Sequence, residues 1–419
     1  MEKIRKIPGR DAGRFVDIII DAYPGIGIKT AKDRKKLIEE VRTHTRIDPR
    51  TSIHGLYRAK ELIGVMRLFD FKMNLFGRWI GAGGLGSLAV SLFHKKEHVA
   101  KKLVQHYVRH YRRRKAPLAV LWPFRPDFYK QMGWGLGGQL FSYSVAPQSL
   151  PRNRRVGPVR LLVKDDMPAL TDCYNRAASR RTGMIEELCA FREFVFDLKR
   201  ERKYLGYEQN GQIRGYLIFQ FERGRATNFI DNNIRVSQLI YDDPEVLRGL
   251  LDFLHRQFDQ INRIIIECND ESFHHLLHDP RNGSNNIMYP VYHECCVCGV
   301  GVMYRIIDAR ELFAQLADHD FNGHDGSLKL EIKDSFLRAN NGSLVLRFDE
   351  GKPHILDRGA EYDVAMRIDV ADLSSLVLGA VSLRSLNDYG LVKLSDPTQL
   401  QWLDDLFACR DKPVCMTAF

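Results

Sequence analysis

No uninterrupted apolar stretch in the 419 residues approaches the ~18–20 that a membrane-crossing helix requires. The opening Met-Glu-Lys-Ile-Arg-Lys-Ile-Pro also lacks the apolar centre and small-residue cleavage site of a secretory signal. These absences lead to the expectation of a cytoplasmic protein with no membrane partner. Cysteine is missing from the first 150 residues, and the eight present (Cys173, Cys189, Cys268, Cys295, Cys296, Cys298, Cys409 and Cys415) include no pair of Cys-x-x-Cys motifs. Cys295-Cys296-Val297-Cys298 is too tight for a zinc pair, so buried, reduced thiols and no metal are expected. With 44% apolar and 27% charged residues, a disordered chain or a coiled-coil rod is excluded. The length allows roughly two to four domains.

Acidic residues are scarce in one region only. Residues 1–150 carry 29 Lys and Arg against 12 Asp and Glu, residues 151–300 carry 21 of each, and residues 301–419 carry 13 against 19. An excess confined to the first third implies that this third meets an anion. Nucleic acid is one candidate, but no aromatic–basic interleaving of the single-strand-binding type is present, and no nucleic-acid partner is expected.

The first third reads as mixed α/β. Phe15, Ile18, Ile19 and Ala22 give Asp11–Tyr23 a helical stripe. Ile53–Arg58 and Leu62–Phe71 form a hairpin, and Gly84–Val90 is a further strand ending in the charged turn His94–Glu97. Val99, Leu103, Val104, Tyr107, Val108 and Tyr111 then make one face of a strong amphipathic helix. A buried strand, Pro117–Trp122, and a short helix, Phe128–Met132, follow. The middle third repeats this order. Gly55–Gly64 aligns with Gly206–Gly215, and the helix Asp243–Phe258, strand Arg263–Glu267 and short helix Asp270–Leu277 parallel residues 98–132. A period near 150 residues means a duplicated domain, with Pro147–Pro158 as linker. Its second copy lacks the basic turn and has His274 near the place of Tyr129. From Met303 onward a separate α+β module follows, with alternating strands at Leu328–Ile332 and Ser343–Phe348 and helices around Leu373–Gly379 and Thr398–Phe407.

A strand, a turn and the start of a helix make an anion cradle, because the first helical amides are unpaired and the helix end is positive. Leu88-Ala89-Val90 followed by His94-Lys95-Lys96-Glu97-His98-Val99-Ala100-Lys101 has this form, and its lysines suit a pyrophosphate. Gly83-Gly84-Leu85-Gly86 invites a dinucleotide reading, but it does not lie between strand and helix. His94, His98, His106 and His110 are expected as solvated or capping groups, and Arg112-Arg113-Arg114-Lys115 as a helix C-terminus completing the dipole.

The order Val90-Ser91-x-x-His94-Lys95-Lys96-Glu97-His98-Val99-Ala100-Lys101, then Phe128-Tyr129-Lys130-Gln131-Met132-Gly133-Trp134, resembles a GNAT acetyltransferase. More narrowly, the whole chain resembles the Eis (enhanced intracellular survival) family of bacterial N-acetyltransferases. The resemblance implies an α+β chain of tandem GNAT acyltransferase folds, each a mixed sheet with helices, followed by a sterol-carrier-protein-like α+β domain. The domains expected are 1–150, acetyl-CoA-binding; 151–302, degenerate; and 303–419. It implies acetyl-CoA as co-substrate, held by Leu88, Ala89, Val90, Lys95, Lys96, Glu97, His98, Val99, Ala100, Lys101 and Phe124. The family's turn reads Arg-x-x-Gly, and here His98 stands at the glycine. A homo-oligomer is also implied.

Acetyl transfer from a thioester needs a neutral amine, a stabilised oxyanion and a proton for the departing thiolate. The resemblance assigns the proton donor to Tyr129 and the base to the main-chain carboxylate of Phe419. The expected acceptor is a primary amine of aminoglycoside, polyamine or lysine type, small molecule or peptide, in a pocket built from loops such as Tyr23–Thr30. The alternative is a non-catalytic binding protein with a sterol-carrier-like ligand site.

Overall fold

The computed structural model describes residues 2–153, 157–225, 228–357 and 359–419. The first part holds β1 (Glu2–Lys6), α1 (Ala12–Ala22), α2 (Ala31–Ile47), β2 (Thr51–Arg58), β3 (Glu61–Leu75), β4 (Arg78–Val90), α3 (Val99–Arg113), β5 (Leu118–Leu121), α4 (Pro126–Lys130) and β6 (Gly135–Leu136). The middle part holds β7 (Gln139–Val145), β8 (Val159–Leu161), α5 (Met167–Ala178), α6 (Cys189–Leu198), β9 (Lys203–Gln209), β10 (Gln212–Arg225), β11 (Asn228–Tyr241), α7 (Pro244–His255), β12 (Ile261–Cys268), β13 (Ile287–Met288), β14 (Tyr292–His293) and β15 (Cys296–Val300). The last part holds β16 (Met303–Ile306), α8 (Ala309–Gln315), β17 (Gly326–Lys333), β18 (Gly342–Asp349), β19 (Lys352–Leu356), β20 (Val364–Asp369), α9 (Val370–Val377), α10 (Leu383–Asp388), β21 (Val392–Leu394) and α11 (Leu400–Leu406).

Two compact units result. One comprises the residues up to Gly137 together with Arg181–Glu186 and Gly301–Phe419; the other comprises Gly138–Arg180 and Glu187–Val300. In the first unit the sheet order is β1-β2-β3-β4-β5-β16-β6. Only β4 and β5 run parallel. The strand expected from Gly84 starts earlier, at Arg78, because β3 and β4 are one long hairpin. They turn at Phe76 and Gly77, whose φ values of 55° and 80° match the right-handed strand twist. α1 covers one face of this sheet through Phe15, Val16 and Ile19. α3 covers the other through Leu103, Val104, Tyr107 and Val108.

β16 belongs to this sheet although it follows the whole middle part in sequence. All four of its residues are buried, as a strand covered on both faces requires. Its one charge, Arg305, is fully buried and paired with Asp334 through 2.7 and 2.8 Å contacts. The five-stranded sheet β19-β18-β17-β20-β21 shares one continuous core with the first sheet. Phe69, Phe71, Met73 and Tyr304 meet Leu328, Leu330, Phe348 and Leu376 in it. This shared core fixes where the end of the chain can go.

The second unit repeats the plan around β15-β7-β12-β11-β10-β9-β8. Its single parallel pair is again the strand before the long helix and the strand after it, β11 and β12. β7 precedes the expected linker Pro147–Pro158, whose central residues 154–156 lie outside the described residues. No helix among the described residues is long and apolar enough to cross a membrane.

Candidate active site

β4 and β5 pair only from Ala82 to Leu85 against Leu118 to Leu121. Beyond that point β4 keeps β3 as a neighbour, with Gly86 opposite Arg67, Ala89 opposite Val65 and Val90 opposite Gly64. β5 meanwhile leaves the ladder at Trp122. The two strands therefore fork, and the edge of β4 that carries Leu88, Ala89 and Val90 has lost its sheet partner on the β5 side. Buried backbone groups demand hydrogen-bond partners, so this edge is suited to an extended ligand with amide groups. Tyr23, at the end of α1, already reaches it: its hydroxyl donates to the Leu88 carbonyl at 2.5 Å.

The basic turn is clamped from below. Arg58 pairs with Glu97 at 2.7 Å and with Glu2 at 2.9 Å, while His94 lies 3.2 Å from Glu61 and 3.3 Å from Glu97. Glu97 is thus structural, and the cations Lys95, Lys96 and Lys101 are exposed, with no ion pair among the described residues. α3 has no acidic residue in its first turn and no side chain capping its amides. Val99, Ala100 and Lys101 accordingly offer backbone N–H groups at a positive helix end. This donor set fits a pyrophosphate.

His98 caps α3 with φ 60° and ψ 17°, the left-handed region where a Cβ costs about 1 kcal/mol. The backbone thus adopts the glycine conformation without glycine. His98→Gly is expected to raise stability by up to about 1 kcal/mol in urea titrations and to bind acetyl-CoA at least as tightly by calorimetry. A weaker binder would show that the imidazole itself contacts the ligand.

Tyr129 lies on α4 with 2% of its surface exposed. Its ring meets Phe124, Phe128 and Trp134 edge-on, with centroids 6.0, 5.1 and 6.0 Å away. Its hydroxyl has no hydrogen-bond partner among the described residues. Burial pushes the phenol above its ordinary range, with Tyr23 adding to the effect, so Tyr129 is protonated at neutral pH. Phe124, on the loop after β5, is 58% exposed and forms an open lip over Tyr129.

The last residues return to the fork. Val414 N–H donates to the Thr182 carbonyl at 2.8 Å, and Trp122 Nε1 donates to the Thr417 carbonyl at 3.1 Å. The Phe419 ring packs edge-on against Phe69 and Phe71 at 5.5 and 4.9 Å. A Cβ added to Gly86 would lie 3.1 Å from the Phe419 carbonyl carbon. The first unit therefore holds the Phe419 main-chain end against β4, one residue past the last rung it shares with β5. Of the two residues that secure this arrangement, Trp122 is not distinguished by any motif, and Gly86 stands out in sequence only within the run Gly83-Gly84-Leu85-Gly86.

Two histidine expectations are corrected. His106 and His110 are not simply solvated: with His54 they form a cluster whose ring centroids are 5.9–6.1 Å apart. Burial lowers all three, His54 and His106 to about 4. No group of three or more His, Cys, Asp or Glu among the described residues is arranged to hold a metal ion.

The second unit has the same helix start with opposite chemistry. Asp243 caps α7 by accepting from Val246 N–H, and Asp242 beside it pairs with Arg176, Arg180 and Arg214. The amides that would take a phosphate face a carboxylate instead. His274 lies in a single 3-10 turn against His275.

Known domain families match three successive parts of the chain. Residues 3–137 match an acetyltransferase (GNAT) domain, residues 178–306 a second acetyltransferase (GNAT) domain, and residues 308–416 a sterol carrier protein domain. The chain is a GNAT-family N-acetyltransferase with two GNAT domains and a C-terminal sterol carrier protein domain, and GNAT domains use acetyl-CoA as co-substrate. In architecture it is Eis-like. Eis1 from Mycobacterium abscessus has 19% identity and a TM-score of 0.76, with 100% of both chains covered. A GCN5-related N-acetyltransferase from Anabaena variabilis (16% identity) and a probable N-acyltransferase from Enterococcus faecalis (18% identity) each give a TM-score of 0.82 with 100% of both chains covered. At such identities the likeness is one of fold. No match is found among curated protein sequences.

Proposed function

We propose that the first unit transfers acetyl from acetyl-CoA to a primary amine by direct attack. The observation that carries this reading is the meeting, at one fork, of a free β4 edge, an uncapped helix start with unpaired lysines, and the Phe419 chain end. Leu88, Ala89 and Val90 would receive the extended arm of the coenzyme. Lys95, Lys96 and the amides of His98, Val99, Ala100 and Lys101 would hold its phosphates, Glu97 would brace the turn, and Phe124 would flank the sulfur end. Bound acetyl-CoA supplies an activated acyl group.

The chain's own part is proton management. The Phe419 carboxylate, ionised at neutral pH, attracts the ammonium and accepts its proton directly or through water. Tyr129, protonated and without a competing acceptor, gives a proton to the leaving thiolate. Acceptors of aminoglycoside, polyamine or lysine type satisfy this scheme. We retain the boundaries 1–150, 151–302 and 303–419 as a proposal, together with a cytoplasmic setting, homo-oligomeric assembly and no nucleic-acid partner. Full-length protein given acetyl-CoA and a panel of such amines is expected to release free thiol with saturation in both substrates. Absence of both thiol release and calorimetric acetyl-CoA binding would favour the non-catalytic binding protein instead.

A further inference from the structure

Arg67, on β3, stands directly across the ladder from Gly86, so their Cα atoms are ~4.5–5.5 Å apart. Side chains opposite each other in a ladder share a face. Arg67 therefore projects from the sheet face on which the Phe419 carbonyl carbon approaches Gly86. The same face carries Phe69, whose ring lies 6.2 Å from His44 and 5.5 Å from the Phe419 ring.

The surroundings of Arg67 are wrong for a structural arginine. Its guanidinium lies 5.9 Å from the Phe15 ring centroid, and Nη1 donates to His44 Nδ1 at 3.2 Å. Nε is buried with no hydrogen-bond partner, and no Asp or Glu side chain among the described residues forms an ion pair with the guanidinium. His44 can accept only because it is neutral: burial, then the Arg67 charge, lowers it to about 4. Burial brings Arg67 itself down to about 10, which still leaves it charged at neutral pH. The residue keeps slight solvent contact. A buried cation is ordinarily met by an anion, as Arg305 is by Asp334 in this same unit. Among the described residues no Asp or Glu side chain does this for Arg67.

We propose that Arg67 recognises a carboxylate on the acceptor, so that the preferred acceptors are amines of amino-acid type rather than purely cationic amines. This rests on the acyl-transfer reading: the acceptor amine faces the Phe419 carboxylate while its own carboxylate meets Arg67. Opposite charges at the two ends of one molecule would then set its orientation before reaction.

Two measurements test it. In calorimetry with the full chain, a panel of N-acetyl-L-amino acids and the matching amides serves as product probes and needs no turnover. The best acid is expected to bind at least tenfold tighter than its amide, and Arg67→Gln to abolish the difference while Arg67→Lys keeps part of it. In thiol-release kinetics, L-lysine is expected to exceed L-lysinamide in kcat/KM by a similar factor, and Arg67→Gln to lower only the lysine value. Acids binding no better than amides, or a preference unchanged in Arg67→Gln, would overturn the proposal. If thiol release is robust but lysinamide equals lysine, acyl transfer stands and only the carboxylate site falls. If no amine supports thiol release, the calorimetric comparison still decides whether Arg67 is a carboxylate site.

Discussion

A chain extended by two or three residues beyond Phe419 is expected to bind acetyl-CoA like the parent and to lose acetyl transfer by about 10²–10⁴-fold. The extension changes no side chain. It converts a carboxylate into a neutral amide carbonyl at the point where Gly86 admits the Phe419 main chain. The Phe419 ring would stay against Phe69 and Phe71, and the clamp of Arg58 on Glu97 lies in a different part of the unit. Affinity and turnover should consequently separate. Calorimetry with acetyl-CoA and steady-state thiol release, run on the same preparation, measure the two. Full turnover in the extended chain would eliminate the main-chain carboxylate as base.

Tyr129→Phe is expected to lower kcat by about 10²–10³-fold with little change in the KM for acetyl-CoA. The substitution removes one hydroxyl that has no partner to lose, and the ring keeps its contacts with Phe124, Phe128 and Trp134. Folding should be untouched, which a thermal melt would confirm. Because burial raises the phenol, Tyr129 keeps its proton at every pH below its shifted value. The parent should show no alkaline decline attributable to the phenol below about pH 10. An alkaline limb near pH 8 that vanished in Tyr129→Phe would contradict a buried, protonated acid. Unchanged turnover would remove the assignment altogether.

Much of this organisation was legible in the residues, and the reasons for the rest are physical. α3 could be read because its buried stripe, Val99 to Tyr111, is long and regular. α2 is harder to read because its apolar side is short: Leu37, Ile38 and Val41 face the core, and only Val41 is buried. Its one signal is local: Thr30 and Asp33 form a capping box through 3.1 Å bonds in each direction. The fork between β4 and β5 follows from where pairing stops, and pairing between distant strands has no local signature. The same holds for β16, whose apolar run shows that it is buried but not in which sheet. Arg67 is the one cation in the apolar run Leu62–Phe71, and nothing in the sequence sets it apart. Its surroundings emerge only in the fold, where no Asp or Glu side chain among the described residues pairs with it.

The position of β16 has a bearing on biogenesis. The sheet that forms the fork lacks an interior strand until Met303–Ile306 has been synthesised, since β16 lies between β5 and β6. During translation the second unit can complete its own sheet first, while the earlier-made strands wait beside the ribosome with an unpaired edge, a state prone to aggregation. The first unit would thus complete its sheets after the second unit, once Met303–Ile306 has been made.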